Sequence, residues 1–379
     1  MSTRIYTLPV DQTQWHVNST ATTVFNWEYD ATRDRLLNLY EKGKEKQWNT
    51  NTRLDWSIEV DPRSSRNFPD YYIPIYGSDM WERMDDDARA DFRHHMAAWM
   101  NSQFLHGEQG ALICAAKIVQ TVPHVDSKFY AATQVMDEAR HMETYSRYLR
   151  EKIEMAYPIN RHLKSLLNDV VSDSRWDMTN LGMQVLIEGL ALAAFSMIRD
   201  YSEEPLAKAL NTYVMQDEAR HVAFGRLALR EFYPQITAAE RAEREEFVVY
   251  ACYLMRNRFL AEEVWENVGL DREECTKYVQ DSEMMQTFRK MLFSRIVPTI
   301  KDLGLWGPKV QAAFEDMGVI DYQDLSPEDL SAADEQIALD LDRDRGGADG
   351  EREAMVSLAG IDPDRAAEVE AAIQAGAED

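Results

Sequence analysis

The chain is 379 residues long, 45% apolar and 28% charged, which is enough to bury one large core or two ordinary ones and excludes a disordered polymer. Its formal net charge of −25 argues against a surface that tracks a phosphate backbone, so nucleic acid is not an expected partner. The three cysteines, Cys114, Cys252 and Cys275, are spaced for neither a zinc module nor a disulfide framework, and the polar N-terminus lacks the apolar core of a secretory signal. No apolar run approaches the roughly 20 residues that span a bilayer. The expectation is a soluble, cytoplasmic protein with no membrane partner.

Three regions follow one another along the chain. Residues 1–85 are aromatic and polar, with a helical stretch near Ala31 to Gln47 and then Pro62, Pro69 and Pro74 interrupting any long helix, as expected of an extension packed on something larger. Residues 86–304 change to long segments with apolar residues at i, i+3, i+4 and i+7, and no strand alternation occurs in them. Pro123, Pro158, Pro205, Pro234 and Pro298 are the expected breaks, with long helices between most of them. Residues 305–379 form an acidic, partly flexible appendage, with 17 acidic and 4 basic residues from Asp324 onward, a net of −13. Within it DRDRGGADGE reads as flexible and Arg352 to Ala375 as a short amphipathic piece, most simply a solubility tail.

An internal repeat carries the chemistry. Asp137-Glu138-Ala139-Arg140-His141 recurs letter for letter as Asp217-Glu218-Ala219-Arg220-His221, and the same shift of 80 carries Glu108 onto Glu188. Each half reads Glu, 29 residues, then Glu-x-x-His. Residues three apart project from one helix face, so Glu138 converges with His141 and Glu218 with His221. Their face neighbours are mostly apolar or small: Ala131, Gln134, Val135, Met142 and Tyr145 for the first pair, Val214, Val222 and Gly225 for the second. All four carboxylates should therefore point inward.

Four buried carboxylates without a cation would cost several kcal/mol each. Two divalent ions balance the charge of Glu108, Glu138, Glu188 and Glu218, and one neutral histidine is left for each ion. One Glu from each of two helices plus Glu-x-x-His from each of two others is the di-iron or di-manganese pattern of helix bundles, whereas zinc prefers fewer, softer ligands and magnesium or calcium rarely takes two histidines. Iron is expected first and an iron–manganese pair second. A lone Glu-x-x-His is weak evidence, and the duplication is what makes the signal specific; a buried salt-bridge network through Arg140 and Arg220 is the competing explanation.

With these residues the chain resembles the ferritin-like di-iron carboxylate superfamily, in its oxygen-activating branch. The D-E-x-R-H form is similar to multicomponent monooxygenase hydroxylases and acyl-carrier-protein desaturases, and the resemblance covers roughly residues 86–300. It implies an all-α, ferritin-like four-helix bundle with additional flanking helices. It implies further that Glu108, Glu138 and His141 bind one iron and Glu188, Glu218 and His221 the other, with Glu138 and Glu218 as bridges. Asp137, Arg140, Asp217 and Arg220 would support them, each Asp orienting the histidine of the other half, since a ligating imidazole needs its second N–H held. Tyr145, four residues after His141, falls where ribonucleotide reductase small subunits, also similar, hold a radical tyrosine, although a buried core tyrosine explains it as well. Those subunits usually have Asp where Glu108 stands. Arylamine N-oxygenases, another relative, carry an extra histidine a turn before the second Glu-x-x-His, where this chain has Val214.

The resulting expectation is an O2-activating di-iron oxygenase or oxidase acting on a small, largely apolar organic substrate. The expected cavity wall is Leu112, Ala115, Leu192, Phe195 and Phe224, and Leu192 stands where monooxygenase hydroxylases often place Thr. Alternatives are a reductase-like radical-generating or ligand-binding oxidase subunit, and an iron store or ferroxidase. No flavin, haem or iron–sulfur motif is visible, so an external reductase or ferredoxin is implied, and long exposed helices suggest a homodimer.

Overall fold

The computed structural model describes residues 13–27, 29 and 33–343, with side chains to 337; the amphipathic piece at Arg352 to Ala375 lies outside the described residues. Among the described residues every regular element is helical. The long helices are α1 (Asp34–Glu45), α2 (Asp86–Thr121), α3 (Val125–Tyr148), α4 (Arg161–Ser172), α5 (Trp176–Tyr201), α6 (Pro205–Phe232), α7 (Ala238–Arg258) and α8 (Pro327–Arg343). Short helical turns join them.

The centre is a four-helix bundle of two hairpins, α2–α3 and α5–α6. Each hairpin turns within three residues, so its helices are antiparallel neighbours. Local chemistry sets the ends. Asp85 caps α2 by accepting from the Ala88 amide, and Val122, extended before Pro123, ends it. Glu204 caps α6 by accepting from Leu206 and Ala207, with Pro205 at the first helical position, where its missing N–H costs nothing. Thr237 and Glu240 cap α7 reciprocally.

Helix α5 threads the middle. By length and composition it could cross a bilayer, which corrects the expectation that no such run exists; 89% of its apolar window is nevertheless buried inside the protein, so its greasiness answers to protein neighbours. It carries an i→i+5 segment, Leu181–Ile187, immediately before Glu188. Such π-segments mark functional sites more often than ordinary helix does.

The proline breaks hold at Pro123, Pro158, Pro205 and Pro234. Pro298 instead sits inside the short helix Ile296–Asp302, in the first turn, where a proline removes no internal hydrogen bond. The long helix expected between Pro158 and Pro205 is divided by Asp173, extended at the end of α4. Between Pro234 and Pro298, α7 is followed by short helices, including Glu262–Trp265, Arg272–Asp281 and Glu283–Leu292. Part of the acidic C-terminal region is also ordered on the bundle: α8 packs on α6, with Glu328 2.7 Å from Arg226 and Asp334 2.8 Å from Arg295.

Candidate metal centre

Glu108 comes from α2, Glu138 and His141 from α3, Glu188 from α5, and Glu218 and His221 from α6, and all six meet in the bundle core. None is more than 5% exposed. The donor atoms form two sets, Glu108–Glu138–His141–Glu218 and Glu138–Glu188–Glu218–His221, each within 4.8 Å, so Glu138 and Glu218 belong to both.

Both imidazoles aim Nδ1 at the carboxylates. His141 Nδ1 lies 3.3 Å from Glu108, 3.4 Å from Glu138 and 3.1 Å from Glu218, and His221 Nδ1 lies 3.0 Å from Glu138 and 3.5 Å from Glu218. Neighbouring donors about 2.1 Å from a shared ion stand about 3 Å apart, so this spacing suits cations between them. Hydrogen bonding accounts for only part of it, through His141 with Glu108 and Gln134 with Glu138 and Glu188. Glu138 Oε2, Glu188 Oε2, both oxygens of Glu218 and His221 Nδ1 are buried without a hydrogen-bond partner. Native proteins rarely leave such atoms unsatisfied, and five converging on one point is the signature of a metal site.

The Nε2 atoms face outward to the opposite half of the repeat. His141 Nε2 is 3.0 Å from Asp217, and His221 Nε2 is 3.2 Å from Asp137. Arg140 donates to both aspartates, at 2.5 Å to Asp137 and 2.7 Å to Asp217, and Arg220 donates to the other oxygen of Asp217. The arginines thus neutralise the aspartates instead of entering the carboxylate cluster, which disposes of the salt-bridge explanation.

Electrostatics follows from this packing. Burial and the Glu218 carboxylate push Glu108 well above the usual carboxylate range, and burial with Glu218 and Glu138 does the same to Glu188. Against the upward push of burial, the two histidines hold Glu138 below its ordinary value, and Arg220, His141 and Arg140 hold Asp217 down. Burial disfavours a charged His141, but hydrogen bonding to Asp217 and the carboxylates outweighs it and raises that imidazole; His221 is likewise raised by Glu218 and Glu138. Cation uptake at these donors would therefore release protons.

Several supporting residues escaped the sequence reading. Gln47 and Trp48, just after α1, reach into the centre: Gln47 accepts from Arg140 at 2.6 Å and donates to Asp137 at 2.7 Å, and the Trp48 indole donates to Asp217 at 2.8 Å. Nothing in their local sequence marks them. Gln134 is visible, four residues before Glu138 on the same face, and donates to Glu138 at 3.1 Å and Glu188 at 2.9 Å. Tyr145 is fully buried, donates to Asn211 at 3.0 Å, and packs between Phe104 and Phe195; burial and Glu108 push its phenol well up, so it stays protonated.

A narrow cavity of about 30 Å³ adjoins Glu108, Glu188 and Glu218. Phe195 lines it, and Leu112, Leu192, Ala115 and Phe224 do not. The cavity opens on the Gly107/Ala111 side of Glu108 and the Ile187/Ala191 side of Glu188, whereas residues four beyond each Glu turn about 40° the other way.

A dry cluster of four carboxylates and two imidazoles on two helical hairpins defines a ferritin-like dinuclear metalloprotein. A family profile described as "P-aminobenzoate N-oxygenase AurF" matches residues 29–304, and the chain belongs to that family. It is an O2-activating di-iron oxidoreductase. Solved structures with a similar backbone include variants of an R2-like ligand-binding oxidase. One with an anaerobically reconstituted Mn/Fe cofactor has a TM-score of 0.43 and 17% identity, covering 76% of this chain and 94% of that one. Another, aerobically reconstituted, has a TM-score of 0.42 and 15% identity, covering 75% and 98%. No curated protein sequence matches. Val214, four residues before Glu218, is fully buried.

Proposed function

We propose that Glu108, Glu138 and His141 hold one iron and Glu188, Glu218 and His221 the other, with Glu138 and Glu218 shared, and that the protein uses the pair to oxidise a small, largely apolar organic substrate. The observation that carries this is the two donor sets that share Glu138 and Glu218, with five orphaned donor atoms between them. When bound and reduced, the iron pair supplies the electrons for O2 reduction. The chain does the rest. Asp217 and Asp137 hold the Nε2 protons of His141 and His221, which fixes both tautomers so that Nδ1 is the free donor. Gln134 orients the carboxylates of Glu138 and Glu188. Phe104, Phe195 and Ile187 exclude bulk water from the cavity side.

The family description names p-aminobenzoate N-oxygenation. Two features support a different substrate here: Val214 offers no seventh donor, and a 30 Å³ cavity is far smaller than the roughly 150 Å³ that holds a benzene ring. Electrons come from a separate reductase or ferredoxin, for which a net charge of −25 favours a basic docking patch. The protein acts in the cytoplasm as a homodimer with this core bundle, residues 86–304, between an N-terminal extension and a C-terminal appendage.

Oxygen uptake tests the assignment. With ferrous iron in excess, uptake should stop once two irons per chain are oxidised; continued uptake with mineral formation identifies an iron store instead. A tyrosyl electron paramagnetic resonance signal that appears on aerobic loading and vanishes in Tyr145→Phe would replace the oxygenase reading with a radical-generating one, which the burial of Tyr145 beside Glu108 makes worth testing.

A further inference from the structure

The cavity beside the metal centre is lined by a cation that the mechanism above does not use. Arg258, the last residue of α7, lines it together with Glu108, Glu188 and Glu218. The residue is 6% exposed and its Nε is buried without a hydrogen-bond partner. Among the described residues its guanidinium forms no ion pair, and its ring contact is with the adjacent Phe259, 5.5 Å away. The nearby carboxylate, Glu263, is engaged elsewhere: one oxygen accepts from Trp99 at 3.0 Å and the other from Asn160 at 2.7 Å. Gln103, which also lines the cavity, is committed as well, donating to the Pro158 carbonyl at 3.0 Å and accepting from the Asn160 amide at 2.7 Å. Among the described cavity-lining residues the guanidinium is therefore the cation left free to donate.

A buried guanidinium stays charged, and burial lowers its pKa only to about 10. A desolvated cation with no partner is expensive, and arginine's planar fork is shaped to take a carboxylate through two parallel hydrogen bonds. An anion there would not be repelled by the metal centre, because two divalent ions cancel the four glutamates. The cavity's 30 Å³ holds two or three water-sized groups, which suits a head of acetate size and not an aromatic acid.

We infer that Arg258 anchors the substrate, a small aliphatic carboxylate, by its carboxylate head and points its carbon end at the metal centre. This rests on the oxygenase reading above and adds the substrate class. Arg258 is then the residue that sets specificity, while the six metal-binding side chains supply the chemistry.

Acetate is the probe, titrated calorimetrically into protein loaded with two metal ions, at constant ionic strength, with acetamide as the neutral isostere. Wild type should bind one acetate per chain and no acetamide. Arg258→Met should lose at least about tenfold in affinity, and Arg258→Lys, which keeps the charge without the fork, should fall between them. Failure of wild type to bind acetate, equal binding of acetate and acetamide, or undiminished binding by Arg258→Met would each overturn the assignment. Acetate could also ligate the metal ions directly, so a preference over acetamide supports the anchor only together with the loss on replacing Arg258; where Arg258→Met does not fold, Arg258→Lys supplies that loss, and undiminished acetate binding by Arg258→Lys overturns the assignment. Metal content is measured first: two ions per chain with no acetate binding sinks the anchor alone, whereas absent metal sinks the centre itself.

Discussion

Asp217 gathers four donors in a dry interior, and replacing it by asparagine removes one charge with almost no change in shape. Its Oδ2 accepts from Arg140 at 2.7 Å, Trp48 at 2.8 Å and His141 at 3.0 Å, while Oδ1 accepts from Arg220. In Asp217→Asn the amide must turn its NH2 toward one side. Keeping the oxygen toward Arg140, Trp48 and His141 preserves three bonds and sets the NH2 against Arg220; the reverse orientation loses three. The favoured rotamer thus forfeits one charge-assisted hydrogen bond, worth about 1.5–3 kcal/mol, and leaves Arg140 and Arg220 short of a counter-charge. A loss of about 3 kcal/mol should lower the melting temperature by roughly 4 °C in a chain of 379 residues. His141 also loses the negative charge that makes its Nδ1 a strong donor, so affinity for the metal that it holds should fall about 10- to 100-fold. Thermal unfolding and competition against a chelator measure the two effects separately. Melting within about 1 °C of wild type together with unchanged metal affinity would refute the reasoning, because it would mean that Asp217 neither pairs the arginines nor orients the histidine.

Gly225 lies one turn beyond His221, and a Cβ there would stand 2.5 Å from the Gln184 Cβ and 2.9 Å from Asn180 Oδ1. Gly225→Ala should therefore cost about 1–3 kcal/mol and wedge α6 away from α5, lowering metal retention as well as stability; unchanged melting would contradict the close approach. His95, whose Nδ1 faces the Tyr157 hydroxyl at 2.6 Å, is held below its ordinary value of 6.5, first by burial and then by His94. Above 6.5 it is neutral in both folded and unfolded chains; as the pH falls through 6.5 the unfolded chain takes up the proton first, so stability is lost. Wild type should accordingly lose stability relative to His95→Gln between about pH 8 and pH 5, and parallel curves would show that His95 is not held neutral.

The metal centre was legible because the repeat keeps its spacing at 80 residues: any two helical hairpins of the same geometry bring equivalent positions to equivalent places, so local periodicity was enough to foresee the meeting of Glu108, Glu138, His141, Glu188, Glu218 and His221. Gln47 and Trp48 were not, since they reach Asp137 and Asp217 across 90 and 169 residues and no short-range pattern encodes such a contact. The i→i+5 segment before Glu188 was hidden for a related reason: its residues, Leu-Gly-Met-Gln-Val-Leu-Ile, suit an ordinary helix as well, and packing decides between them. Helical spacing gives the face of a glutamate without saying which flank of that face is left open, and the cavity beside Glu108 and Glu188 runs along Ala111 and Ala191 and not along Leu112 and Leu192. The apolar character of α5 was under-read from the same source, as Glu188 and scattered polar residues interrupt a stretch that is otherwise buried throughout.

Metal content, measured by mass spectrometry on iron-loaded, desalted protein, addresses the dinuclear centre most directly. The account requires two ions per chain in wild type and far fewer in both Glu138→Ala and His221→Ala, because one removes a shared donor and the other a nitrogen. A wild-type chain that retains no iron, or full occupancy in both variants, would contradict it.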